Sequence, residues 1–106
     1  MHDRHTSLSQ QLQELAADFV STQSNRQSLI TVTGIDLSKK FDKVTFYVSV
    51  YPEDAEGPAI GFLMRKRGEC RNYLKDKVSM KQLPHVEFAL DEGEKNRLRV
   101  DELLNE

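Results

Sequence analysis

Cysteine is nearly absent from this sequence of 106 residues, which contains only Cys70. A single thiol cannot form an internal disulfide or supply a multi-cysteine metal site, so disulfide-stapled scaffolds and zinc ribbons are excluded. The same usage is typical of a reducing compartment. Two interpretations of Cys70 are open: a thiol activated by nearby arginines, or a small side chain packed beside a helix. We favour packing, because no histidine partner is indicated.

Long hydrophobic runs are also absent. No stretch of about 18 apolar residues exists to cross a bilayer, and residues 1–7 lack the apolar segment of a secretory signal. We therefore expect a cytoplasmic protein with no membrane partner. A hydrophobic content of 38% with 30% charged residues is ordinary for a globular protein. At this length the chain is expected to form one domain over residues 1–106, with residues 1–6 and 92–106 peripheral or less ordered.

Motifs that carry catalysis are missing as well. The sequence has no phosphate-binding loop, dinucleotide-binding pattern or nucleophile elbow. His2, His5 and His85 are not at the spacing of metal ligands on one element. The loop carboxylates lie among turn residues, where aspartate is favoured for local hydrogen bonding. The sequence therefore predicts no catalytic residue, no metal, no cofactor and no small-molecule substrate, and an enzyme is the less favoured class.

Hydrophobic periodicity predicts the first half of the fold. Apolar residues recur at three- and four-residue spacing over residues 8–20, which predicts a helix over residues 7–23 that begins at a capping box, Ser7-Leu8-Ser9-Gln10. The β-branched run 29–35 predicts a strand, in which Gly34 indicates a bulge or a close backbone approach. Residues 43–51 alternate with period two, so they predict a second, antiparallel strand whose core-facing side chains are Val44, Phe46, Val48 and Val50.

The second half begins with a turn-rich loop over residues 52–58. Helical spacing then returns between Ala59 and Val78, and Gly68 is expected to interrupt or kink that helix, or to cap its end. Alternation after Pro84 predicts a third strand. The predicted order is α-β-β-α-α-β, an α+β fold with a three-stranded mixed sheet covered by helices on one side. Apolar residues after Gly93 predict a short, weakly docked helix.

Charge is unevenly distributed along the chain. The net charge is −2, yet residues 60–81 contain 7 basic and 2 acidic side chains, and the segments on both sides are acidic. Such a block is explained either by a solvated helix face or by an anionic partner. Arg67, Arg71 and Lys75 follow four-residue spacing and therefore share one helix face, which is suited to following phosphates.

The two predicted strands and the residues that follow them resemble a known protein family. Residues 28–38 and 43–50 resemble the paired strands of bacterial ribosome-binding factor A, and the similarity extends over residues 6–104. The resemblance implies a type II KH-like domain with a helix-kink-helix, and a non-enzymatic, monomeric factor that binds small-subunit ribosomal RNA and assists late maturation of the small ribosomal subunit. Two alternatives stay open: a KH-like module that binds other RNA, and a protein-protein adaptor that uses its acidic ends. Later positions that carry the similarity are Gly68, Arg71, Leu74, Met80, Lys81, Pro84, Phe88 and Asp91.

The resemblance also implies where RNA binds. Members of that family have an Ala-x-Gly kink between the two later helices, and the aligned residues here are Lys66-Arg67-Gly68, so the glycine matches and the alanine does not. A second basic group near the first strand connection is the alternative surface. The predicted RNA-binding residues are Arg65, Lys66, Arg67, Gly68, Arg71, Lys75, Lys77 and Lys81, together with Arg26, Lys39, Lys40 and Lys43 of the alternative group.

Overall fold

The computed structural model describes residues 4–23 and 28–93. The elements within these ranges follow the predicted order, so the α+β prediction is confirmed; the predicted helix in the tail lies outside the described residues. In chain order the elements are α1 (Arg4–Gln23), β1 (Leu29–Leu37), β2 (Lys43–Tyr51), a short 3-10 helix (Glu53–Ala55), α2 (Glu56–Arg65), α3 (Arg67–Lys75) and β3 (His85–Leu90).

The sheet is mixed, as predicted, with β2 at its centre. β1 pairs with β2 in antiparallel fashion, and β3 pairs with the other side of β2 in parallel. The register passes from Val32 opposite Val48 to Gly34 opposite Tyr47, which leaves Thr33 as an extra residue in β1. The bulge predicted from Gly34 is therefore confirmed.

The core lies between the inner face of the sheet and the three helices. Alternate residues of β2, including Val44, Phe46 and Val48, are fully buried, so the period-two prediction is confirmed. The Phe46 and Phe88 rings lie 5.8 Å apart between centroids, which joins β2 to β3 by side-chain packing as well as by hydrogen bonds. The helices complete the core with Leu12, Ala16, Phe19 and Val20 of α1, Leu63 of α2, and Cys70 and Leu74 of α3.

Two predicted element starts were wrong. Helix α1 begins at Arg4, three residues before the predicted capping box, which therefore lies inside the helix. Its first turn is fixed by tertiary contacts, because Nε2 of His5 lies 2.7 Å from the Leu37 carbonyl oxygen. Helix α2 begins at Glu56, so the predicted loop is shorter than expected. Pro58 lies in the first turn of α2, where its missing N–H removes no helical hydrogen bond.

The interruption between α2 and α3 is present, but it lies two residues before Gly68. The chain leaves helical geometry at Lys66, whose φ is −97° and ψ is 7°. The Lys66 N–H donates to the Leu63 carbonyl at 3.0 Å, and the Cys70 N–H donates to the Lys66 carbonyl at 2.9 Å. These hydrogen bonds close the turn without a left-handed residue. Gly68 itself is an ordinary helical residue of α3, so the prediction that it forms the kink was wrong.

A leucine pair tests this assignment of the core. Leu12 is fully buried on α1, whereas Leu29 is 64% exposed at the start of β1. We expect Leu12→Ala to lower the free energy of unfolding by about 2–5 kcal/mol, because it removes buried methyl groups and leaves a cavity. Leu29→Ala, the control, should change it by less than about 0.5 kcal/mol. Equal losses in urea unfolding would contradict the core described above.

Candidate nucleic-acid interface

The junction of α2 and α3 borders an open groove of about 330 Å³, which we call the kink groove. Gly68 leaves open space in the groove, because a Cβ atom placed on it would meet no atom within 4 Å. The structure thus brings four predicted residues to one concave surface beside the start of β3. The groove is lined by Met64, Arg65, Arg67, Gly68, Arg71, His85 and Val86.

The cations of the kink groove are not equally available. Arg67 is held by the protein itself: its Nε donates to the Met64 carbonyl at 2.9 Å, and its Nη1 lies 3.1 Å from Oε1 of Glu87. Arg65 and Arg71 are exposed, and Arg71 makes only a long hydrogen bond of 3.4 Å to the Leu83 carbonyl. Arg65 and Arg71 are therefore the cations most open to a phosphate, and Arg67 instead shapes the groove.

The remaining basic residues near the kink have different surroundings. Nζ of Lys66 lies 3.3 Å from Oε1 of Glu69, a salt bridge, and 5.7 Å from the centroid of the Phe62 ring. Lys75 is exposed on the same face of α3 as Arg71, and no acidic side chain of the described residues pairs with it. Lys77 lies 4.9 Å from the centroid of the Tyr73 ring, a cation–π contact.

The alternative basic group is divided by the structure. Lys40 and Lys81, which the sequence assigns to separate groups, line the same cleft between the β1–β2 turn and the segment before β3. Lys39 and Lys43 are exposed and lie outside both concave surfaces. Arg26 lies outside the described residues. The kink groove and this cleft thus each bring predicted cations of the described residues together.

Glu87 is a functional candidate that sequence reasoning missed. Its Oε1 lies 2.6 Å from Nε2 of His85 and also accepts the hydrogen bond from Arg67. The hydrogen bond with His85, and next the positive charge of Arg67, hold the pKa of the Glu87 carboxyl below its ordinary value. Glu87 is therefore ionised at neutral pH, and its negative charge lies beside the groove. The alternation of β3 places His85 and Glu87 on one face of the strand. The contact of Glu87 with Arg67, twenty residues earlier, has no signal in the local sequence.

Cys70 is a packing residue. Its side chain is fully buried, and burial raises the pKa of the thiol to about 12. A thiol with so high a pKa is almost entirely protonated at neutral pH, so it is a poor nucleophile and metal ligand. The packing interpretation is confirmed, and activation by the neighbouring arginines is wrong.

The described residues contain neither a metal-binding cluster nor a helix suited to span a membrane. No group of three or more histidine, cysteine, aspartate or glutamate side chains in residues 4–23 and 28–93 is arranged to hold a metal ion. Within the same part of the chain, no helix has the length and apolar character needed to cross a membrane.

The fold and the kink groove define a type II KH-like domain. In KH domains a turn between two helices clamps the backbone of a single nucleic-acid strand. The solved structure of ribosome-binding factor A from Thermus thermophilus has this architecture, with a TM-score of 0.72, 28% identity, and coverage of 79% of this chain and 91% of that chain.

Sequence comparison agrees with the fold. Residues 4–104 match the family model described as ribosome-binding factor A. Ribosome-binding factor A of Limosilactobacillus fermentum is 30% identical over 104 residues, which cover 93% of this chain and 86% of the relative. A homology model of Thermus thermophilus ribosome-binding factor A, fitted into a cryo-electron-microscopy map of its 30S complex, has a TM-score of 0.68, 27% identity, and coverage of 78% of this chain and 90% of that chain. The chain belongs to the ribosome-binding factor A family.

The Glu87 carboxylate predicts a pH-dependent contribution to stability. We expect Glu87→Gln to lower the free energy of unfolding at pH 7, because the amide cannot form the ion pair with Arg67. The folded-state pKa is depressed, so the contribution is fully present above the unfolded-state pKa of about 4.3 and is lost as the pH falls through the folded-state value.

The measurement is urea unfolding at a series of pH values. Asp54→Asn removes one carboxylate from the exposed 3-10 helix and is the control for the general effect of charge. The difference between the native protein and Glu87→Gln, corrected by this control, should narrow below about pH 4.3. A difference that stays constant down to pH 3 would show that the charge of Glu87 does not stabilise the fold.

Proposed function

We propose that this protein is a small-subunit assembly factor that binds ribosomal RNA through the kink groove and assists late maturation of the small ribosomal subunit. The observation that carries the proposal is that two exposed arginines, Arg65 and Arg71, line one groove together with Gly68. Family membership supports it, as does the fit of a Thermus thermophilus relative into a map of a 30S complex.

The kink groove has the chemistry that a single RNA strand requires. Exposed arginines contact phosphates and release counterions, which supplies affinity without reading sequence. Beside them runs β3, an edge strand of the described sheet, and edge strands offer unpaired N–H and C=O groups. His85 and Val86 of this strand line the groove. Phosphates are therefore proposed to lie along α3, with bases directed toward β3.

The proposed activity is binding without turnover. The protein acts as a single KH-like domain and a monomer in the cytoplasm, and it uses no cofactor. The residues proposed to contact RNA most directly are Arg65, Arg71 and Lys75, while Lys66, Arg67 and Gly68 shape the groove. Lys77, Lys81, Lys39, Lys40 and Lys43 extend the positive surface beyond it.

Neutralising the open cations tests this assignment. We expect the native protein to sediment with free small subunits from cell extract, and the triple variant Arg65→Gln, Arg71→Gln and Lys75→Gln should not. Its affinity for single-stranded RNA should fall, and the slope of log affinity against log salt should decrease by about 1 for each cation that contacts a phosphate. Arg67 is left in place, because a change there also breaks its contacts with Met64 and Glu87.

The control variant lowers the net charge by the same amount, but at positions outside the kink groove. Gln10→Glu, Thr31→Glu and Ser79→Glu are exposed positions on α1, β1 and the segment after α3, and together they lower the net charge by the same three units. This variant should still sediment with small subunits. Equal losses for the two variants would show a response to net charge alone, as for a solvated face. Normal binding by the groove variant would direct attention to the β1–β2 turn.

A substitution of Glu87 is expected to raise the affinity for RNA, in contrast to the triple variant. A carboxylate beside the kink groove repels phosphates and competes with them for Arg67. We therefore expect Glu87→Gln to bind single-stranded RNA severalfold more tightly than the native protein at pH 7, measured by fluorescence anisotropy. Asp54→Asn, which removes a carboxylate far from the groove in sequence, should change the affinity less. Weaker binding by Glu87→Gln would instead mean that RNA uses the Arg67 position set by the ion pair.

A further inference from the structure

A second concave surface lies where the first turn of α1, the β1–β2 turn and the segment before β3 meet. This cleft has a volume of about 290 Å³, at the lower end of the range for small-ligand sites. Its apolar residues are Leu8, Phe41, Met80 and Leu83, and its cationic residues are Arg4, Lys40 and Lys81. The cations come from three separate parts of the chain, so local sequence does not explain their convergence.

The β1–β2 turn fixes the aromatic side of this cleft. Phe41 has a φ of 61°, in the left-handed region that favours glycine and disfavours bulky residues. Two interactions hold it there: its N–H donates to the Ser38 carbonyl at 3.0 Å, and its ring lies 5.6 Å from the His5 ring. The Phe41 ring is therefore positioned before any ligand arrives.

The acidic residue in the cleft is already engaged. Asp42 Oδ1 accepts a hydrogen bond of 2.6 Å from the Ser38 hydroxyl, which lowers the pKa of the Asp42 carboxyl. The hydroxyl oxygen in turn accepts the N–H groups of Asp42 and Lys43, each at 3.0 Å. Asp42 thus secures the turn, and three cations face one carboxylate among the residues that line the cleft. The cleft favours an anionic ligand.

We propose that this cleft binds one unpaired nucleotide of an RNA strand, an inference that rests on the RNA-binding function proposed above. The base packs against Phe41, Met80 and Leu8, and Arg4, Lys40 and Lys81 bind its phosphate. Apolar side chains with cations at one cavity match a nucleotide, which has a flat base and a charged phosphate. An acidic peptide would satisfy the cations, but its carboxylates would leave the apolar residues uncovered.

The cleft and the kink groove are lined by neighbouring residues of the chain, which favours an RNA strand over a free nucleotide. Leu83 lines the cleft and His85 lines the groove, and only Pro84 lies between them in the chain, so their Cα atoms are at most about 7 Å apart. Arg71 of the groove also donates to the Leu83 carbonyl at 3.4 Å. One strand can therefore leave Arg71 and place its next nucleotide in the cleft.

Nuclear magnetic resonance titrations test the proposal with defined probes: uridine 5′-monophosphate, ribose 5-phosphate, triglutamate and a single-stranded RNA of about eight nucleotides. The mononucleotide should shift the amide signals of Phe41, Met80 and Gln82. Ribose 5-phosphate carries the same phosphate without a base and should bind at least about fivefold more weakly, the loss that corresponds to about 1 kcal/mol of stacking. The RNA should shift these amides together with those of the kink groove.

Two variants with the same loss of charge separate the cleft from the groove. Lys40→Gln with Lys81→Gln should weaken mononucleotide binding at least about fivefold, whereas Arg65→Gln with Arg71→Gln should leave it within about twofold. The native pattern of amide signals outside the substituted positions verifies folding of both. Equal binding of ribose 5-phosphate and the mononucleotide, equal shifts with triglutamate, or a cleft variant that binds as the native protein does would each overturn the proposal.

The RNA arm distinguishes failure of this inference from failure of the proposed function. RNA that shifts only the kink-groove amides would overturn the cleft proposal and leave the proposed function intact. A mononucleotide that binds in the cleft of a protein with no affinity for RNA would overturn both the proposed function and the assignment of the cleft to an RNA strand.

Discussion

The parallel pairing of β3 with β2 is the constraint on which the rest of the structure depends. Parallel neighbours cannot be joined by a tight turn, so the chain must cross from the end of β2 to the start of β3 through a long connection. Helices α2 and α3 provide it, and their junction lies beside the first residues of β3. The crossover therefore brings the basic block of residues 60–81 to an open strand edge. The sheet topology, more than the kink itself, creates the kink groove.

Much of this architecture could be predicted from the sequence because its causes are local. Alternation in residues 43–51 indicated both the strand and its buried face, and Gly34 indicated the bulge. The start of α1 could not be predicted, because His5 is held by the carbonyl of Leu37 and the ring of Phe41, which are distant in sequence. The ion pair between Glu87 and Arg67, and the cleft shared by Lys40 and Lys81, likewise join residues that are distant in sequence and could not be predicted. Candidate site residues could be named by charge, but their grouping into two surfaces required the tertiary fold.

Net charge is a poor guide to the partner of this chain, and the structure shows why. The chain carries a formal charge of −2, but its acids do not neutralise the basic block uniformly. Glu69 and Glu87 pair with Lys66 and Arg67, the two residues at the junction, while Arg65, Arg71 and Lys75 carry no such ion pair among the described residues. Acidic side chains thus contact the residues of the junction and leave the flanking cations without an ion pair to the described residues. The acids and bases of this region have complementary roles within one surface.

Gly68 illustrates the difference between what folding requires and what the groove requires. Gly68 is the second residue of α3, where alanine is the better helix former, and the added methyl group would meet no atom within 4 Å. Neither backbone conformation nor packing therefore calls for glycine, since the break in the helix is formed by Lys66. Gly68 is one of the residues that line the kink groove, as are Arg65 and Arg71. A larger side chain there would take up space in the groove, so the glycine serves the open shape of the groove and not the stability of the helix.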